Sequence, residues 1–97
     1  MFARVTTIQI QSGKQDEVAN VTQASIVPSV KMQRGYRGFY SLIDRRTGKG
    51  QLISLWDNEG IAIVNEQSGY YQAQIAKLTP FLTEKPVRDG YDVAAQG

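Results

Sequence analysis

A chain of 97 residues with 41% hydrophobic and 21% charged residues has the make-up of one folded domain, 1–97, with a modest core. It contains no histidine and no cysteine. That excludes disulfides, thiolate nucleophiles, imidazole bases, histidine-ligated haem and most zinc or copper sites, so no metal and no haem is expected. The net charge of +2 points to no particular partner. No apolar run approaches the ~20 residues that cross a bilayer. The start, Met1-Phe-Ala-Arg-Val, lacks the pattern of a secretion signal, so a cytoplasmic location without membrane attachment is expected.

The first element, Phe2 to Ile10, is rich in β-branched residues and reads as a strand. Arg4, Thr6, Ile8 and Ile10 share one side; Ala3, Val5, Thr7 and Gln9 share the other. From Lys14 to about Met32 the pattern turns helical, with Val18, Val21, Ser25, Pro28 and Met32 as the expected inward stripe. Asp16 and Glu17 near its start and Lys31 near its end suit the helix dipole. Pro28 predicts a kink or break after Ile26 or Val27.

Tyr36 to Asp44 and Gln51 to Asp57 read as two strands of a hairpin, with Gly48 and Gly50 expected to supply positive φ in the turn. Phe39, Ser41 and Ile43 alternate with Tyr40 and Leu42; Leu52, Ser54 and Trp56 alternate with Ile53 and Leu55. Both strands are apolar on both sides, so the sheet should be covered twice. Asp57 or Asn58 caps a second helical stretch whose expected stripe is Ile61, Val64, Ser68, Tyr71, Ile75, Leu78 and Leu82. Gly69 should divide it and Pro80 should end it. Glu84 to Val93 reads as the last strand.

The order strand, helix, strand, strand, helix, strand predicts an α+β fold: the ferredoxin-like split βαβ arrangement with a four-stranded antiparallel sheet. Helices then cover one face. A second copy is the simplest cover for the other, giving a homodimer with sheets face to face.

Three motifs add a resemblance: Gly35-Tyr-Arg-Gly-Phe39, Asp44-Arg-Arg-Thr-Gly-Lys-Gly50 and Leu52-Ile-Ser-Leu-Trp-Asp-Asn-Glu59. With Ser25-Ile-Val-Pro28 and Gln33, they make the chain similar to the antibiotic biosynthesis monooxygenase domain family, within the dimeric α/β barrel superfamily. The resemblance runs from the Phe2 strand to Tyr91. It implies a ligand held between the helices and the sheet, an aromatic or polyphenolic small molecule as substrate, and oxygenation without a cofactor. The residues it implies as lining are Trp56, Ser54, Tyr40, Thr6, Arg4 and Tyr71. Trp56 matches the family's pocket tryptophan. The family's haem degraders carry a ligating histidine with no counterpart here and an asparagine replaced by Thr6, so haem degradation is excluded.

Some readings stay open at this level. Arg4 either meets a phenolate or carboxylate of a ligand or pairs across the sheet with Asp89 or Asp92, the commoner arrangement for a charge on a strand. Tyr40, Tyr70, Tyr71 and Tyr91 either contact an aromatic ligand or pack at helix and dimer surfaces. The basic stretch from Lys31 to Lys49 reads as a solvated hairpin end rather than a nucleic-acid surface. Two functions follow: a cofactor-independent monooxygenase, or a non-catalytic dimeric module that binds a small ligand in the same place.

Overall fold

The computed structural model describes residues 1–97. Four strands, β1 (Phe2–Gln9), β2 (Tyr36–Ile43), β3 (Lys49–Trp56) and β4 (Val87–Asp92), form one antiparallel sheet in the order β2-β3-β1-β4. Between β1 and β2 run α1 (Gln15–Val21), a π-helical turn over Thr22–Ile26, and α2 (Val27–Lys31). Between β3 and β4 lie α3 (Glu59–Gln67), α4 (Tyr70–Ala76) and a 3-10 turn over Thr79–Phe81. This is the α+β, ferredoxin-like fold. No helix is long and apolar enough to cross a membrane.

The register decides which side chains share a face. Phe2 lies opposite Trp56, Arg4 opposite Ser54 and Thr6 opposite Leu52. Phe39 lies opposite Ser54 and Ser41 opposite Leu52. That face meets the helices, and its core forms two clusters. One joins Ile8, Ile10, Leu52, Val18, Ile26 and Leu78; the other joins Phe2, Trp56, Val30 and Ala62.

Within the first helical stretch the buried residues are Val18, Thr22, Ile26 and Val30, a constant spacing of four. Met32, expected inside, is 84% exposed. The wider turn of the π-helical segment accounts for the shift, because it lets residues four apart stay on one face. Pro28 sits in the first turn of α2, where its missing N–H is tolerated. The chain therefore changes helix type instead of breaking. The Thr22 hydroxyl donates to the Val18 carbonyl at 2.7 Å, and the Ser29 hydroxyl to the Ser25 carbonyl at 3.0 Å.

The second helical stretch starts as expected, with Asn58 Oδ1 accepting from the Ile61 N–H at 3.0 Å. Gly69, at φ +86°, separates α3 from α4. The inward stripe differs from the apolar one: Val64 is 61% exposed, and Ala62 is the buried residue of α3. In the hairpin Gly48 has the positive φ (+77°), whereas Gly50 does not. Gly50 is there for space: a Cβ would stand 3.0 Å from Ile8 Cγ1 and 3.2 Å from the Leu42 carbonyl oxygen.

The opposite sheet face carries Val5, Ile53, Leu55, Tyr40, Leu42, Val87 and Tyr91. The last four are all exposed in the single chain. β4 pairs with β1 of its own chain.

The helix register has a direct check. Leu78→Ala removes a fully buried side chain and should cost about 2–5 kcal/mol in urea unfolding. Met32→Ala should change stability by no more than about 0.5 kcal/mol. Comparable losses for the two would contradict the register described.

Candidate functional site

A small cavity lies between the helix-facing side of the sheet and the helices. Arg4 and Thr6 of β1, Phe39 of β2, and Leu52, Ser54 and Trp56 of β3 form its floor. Ile26 and Val30 close one side; Ala62, Asn65 and Glu66 of α3 and Tyr70, Tyr71, Gln74 and Ile75 of α4 close the other. Its volume is about 40 Å³, room for about two or three waters.

Strand alternation carries Arg4, Thr6, Ser54 and Trp56 to this side. Trp56 is only 3% exposed, and its indole N–H donates to Ser54 Oγ at 2.9 Å. Thr6 is fully buried, and its hydroxyl lies 2.6 Å from the Tyr71 hydroxyl, tying β1 to α4. Arg4 reaches Glu66 through Nε to Oε2 at 2.6 Å and Nη2 to Oε1 at 3.3 Å, both side chains being about nine-tenths buried. Arg88 Nη1 stands 3.8 Å from Glu66 Oε1 and its guanidinium lies over the Tyr71 ring. Two guanidinium groups thus flank one carboxylate, Arg4 from within the cavity lining and the half-exposed Arg88 from outside it.

Arg4 also stacks over the Phe2 ring, 5.1 Å from its centroid. Room for this comes from Gly90, directly across from Arg4 in the sheet. A Cβ at Gly90 would stand 2.5 Å from Phe2 Cζ and 2.6 Å from Arg4 Nη1.

Two polar atoms in the wall, the Tyr70 hydroxyl and Asn65 Nδ2, are buried and have no hydrogen-bond partner. Burial pushes the Tyr70 phenol up to about 12. Burial also raises the Tyr71 phenol, with the Thr6 hydrogen bond and the charge of Arg88 pulling the other way. Both phenols stay protonated at neutral pH and can donate hydrogen bonds.

Of the residues that the sequence assigned to the site, Arg4, Thr6, Ser54, Trp56 and Tyr71 meet here. Tyr40 does not: it lies opposite Ile53, on the other sheet face, and Phe39 occupies the inward position. Arg4 pairs with neither Asp89 nor Asp92. Asp89 is level with Val5 and so belongs to the far face, and Glu66 supplies the carboxylate instead. The sequence reading missed Glu66 and Asn65 because it followed apolar residues along the helix. The signal was the four-residue spacing Ala62, Glu66, Tyr70, which carries a carboxylate and a phenol onto the buried face.

No family model and no curated protein matches the chain. Solved structures match it along nearly its whole length. A monooxygenase from the gene ActVA-Orf6 of Streptomyces coelicolor, solved with the ligand nanaomycin D, superposes with a TM-score of 0.79 at 14% identity, over 98% of this chain and 88% of that one. Two proteins provisionally named antibiotic biosynthesis monooxygenases each superpose with a TM-score of 0.77. The one from Nitrosomonas europaea is 12% identical over 98% of this chain and 100% of its own. The one from Bordetella bronchiseptica is 20% identical over 97% of each. The chain shares the fold of these proteins. At these identities the likeness concerns the backbone, and the chemistry of the site has to be argued from this chain's own residues.

Two outcomes test the site. Trp56→Ala should lower unfolding free energy by about 3–5 kcal/mol, since the ring is core as well as wall. The raised Tyr70 pKa gives stability that is complete below pH 10 and is lost as pH rises through about 12, because the unfolded chain releases that proton first. Melting temperature should therefore fall between pH 10 and 12, and Tyr70→Phe should make the fall shallower. An unchanged alkaline profile in that variant would contradict the burial of the phenol.

Proposed function

We propose that the protein is a monooxygenase-type enzyme, active as a homodimer, that oxidises an aromatic or polyphenolic small molecule beside Trp56 without a bound cofactor. The observation that carries the reading is a mostly apolar cavity walled by Trp56, with the Arg4 guanidinium in its lining and that of Arg88 bordering it across Glu66. Such a wall favours the deprotonated form of a phenolic substrate over its neutral form. An electron-rich anion of this kind reduces dioxygen directly. For an anthrone, the ring CH2 becomes a carbonyl: one oxygen atom of O2 enters the product, and the other leaves as water with the two hydrogens. Glu66, the one carboxylate in the wall, is the group available to take a proton. The lack of histidine and cysteine in the chain supports independence of haem and of transition metals.

The cavity as it stands is far smaller than the ~300 Å³ or more of pockets that hold drug-sized ligands. The wall best suited to yield is α4. It has seven residues, none of them fully buried, and starts at Gly69 in the left-handed region. Two contacts hold this side shut, Thr6 to Tyr71 on α4 itself and Arg4 to Glu66 at the end of α3. Backbone amides of α4 should exchange hydrogen faster than those of β1 and β3, and an anthrone should slow them.

The homodimer follows from the open sheet face. Tyr40, Leu42, Val87 and Tyr91 expose apolar surface together there, and sheet against sheet would bury it. Tyr40 belongs in this proposal, at the interface. Sedimentation at micromolar concentration should give twice the 10.8 kDa chain mass. A stable monomer would sink the dimer.

A non-catalytic ligand-binding module is the second reading, favoured by the engagement of Glu66 with both arginines. Oxygen uptake separates the two. Anthrones and hydroquinones incubated with the protein under air should consume oxygen at least about 10-fold faster than in buffer. Calorimetric binding without uptake would select the module.

A further inference from the structure

We infer that Asn65 and Tyr70 are specificity residues, donating hydrogen bonds to acceptor oxygens of the ligand, so that the site selects a quinone or aromatic ketone over a hydrocarbon of the same shape. The inference rests on the pocket reading above and deepens it.

A buried hydroxyl or amide without a partner is costly, and a protein that keeps one is keeping it for something. Here there are two, on residues that line the same cavity: the Tyr70 hydroxyl and Asn65 Nδ2. They do not satisfy each other, since neither has any partner. Most other polar groups of the wall are already engaged: Thr6 with Tyr71, Trp56 with Ser54, Arg4 with Glu66, and Gln74 Oε1 with Lys77. The free hydrogen-bonding capacity of the cavity is therefore concentrated on one side, at the junction of α3 and α4.

Both groups are donors as they stand. An amide Nδ2 can only donate, and a phenol pushed up to about 12 stays protonated across the neutral range. Two donors call for acceptors, which quinones and aromatic ketones supply as carbonyl oxygens. The flat apolar remainder of the wall, with Trp56, Leu52 and Phe39, suits the ring system that carries them. A pure hydrocarbon would leave both donors unpaired, and a site built to pair polar groups rejects a ligand that lacks them.

The test uses the intact protein, its Tyr70→Phe and Asn65→Leu variants, and two probes. One probe is naphthoquinone; the other is the matched dimethylnaphthalene, in which methyl groups replace the two oxygens. Binding is read by calorimetry and by the fluorescence of Trp56, the one tryptophan in the chain. Naphthoquinone should bind the wild type more tightly than dimethylnaphthalene. Each variant should weaken naphthoquinone about 3- to 10-fold and leave dimethylnaphthalene unchanged. Without ligand, neither variant should melt lower than the wild type, because each removes a group that has no partner in the folded chain. Unchanged naphthoquinone affinity in both variants overturns the inference while leaving the pocket intact. A lower melting temperature for Tyr70→Phe also overturns it, by assigning the hydroxyl a structural bond. If neither probe binds the wild type and Trp56 does not respond, the pocket reading itself fails, and the inference with it.

Discussion

The ion pair between Arg4 and Glu66 is the constraint around which the helix-facing side of this sheet is arranged. Arg4 occupies an inward position on a central strand, where an unpaired guanidinium would be strongly destabilising. Glu66 compensates from α3 with two contacts, and Arg88 approaches from β4 to share the carboxylate. Gly90 leaves room for the guanidinium, and Phe2 gives it an aromatic face. The pair thus ties together β1, β4 and α3. It also fixes the charged groups of the cavity lining, one arginine and one carboxylate, with Arg88 bordering them from outside. A buried pair like this is poor evidence of stability, because an apolar pair of similar volume would often do as well. Its placement at a cavity wall is what makes a functional role the better account.

Sheet parity explains what the sequence disclosed and what it withheld. Alternation in β1 and β3 was legible: Arg4, Thr6, Ser54 and Trp56 share a face on spacing alone, and the structure brings them together. Tyr40 needed the hairpin register, which the alternation of β2 does not contain. The turn ending at Gly48 sets Ile43 against Gly50, and that one pairing puts Phe39 inside and Tyr40 outside. In the first helical stretch, Pro28 announced an irregularity but not its kind. A π-helical turn changed the phase, so Met32 left the core and Val30 entered it.

The second helical stretch failed to be legible for a more instructive reason. Reading it as an apolar stripe selects Val64, which is exposed, and passes over Glu66, which is buried. Inward helical faces are apolar where a helix only packs. This one carries Asn65, Glu66, Tyr70 and Gln74 toward the sheet, because here the helix forms the wall of a cavity. Local disagreement between hydrophobic pattern and burial is what a functional site produces. The mismatch at Glu66 is therefore a pointer to the site, available only once the fold is known.

The small size of the cavity then gains a physical meaning. A filled, rigid wall would be more stable than one with two unpaired polar atoms and a seven-residue helix that buries no side chain completely. The first cluster, with Val18 and Leu78 fully buried, has no such defects. Stability is concentrated in that cluster, and the weak points gather around Trp56, Asn65 and Tyr70. A domain of this size has little free energy to spare. Placing its unpaired groups together, next to the short helix proposed to yield, confines their destabilising effect to the place where the proposed ligand would reverse it.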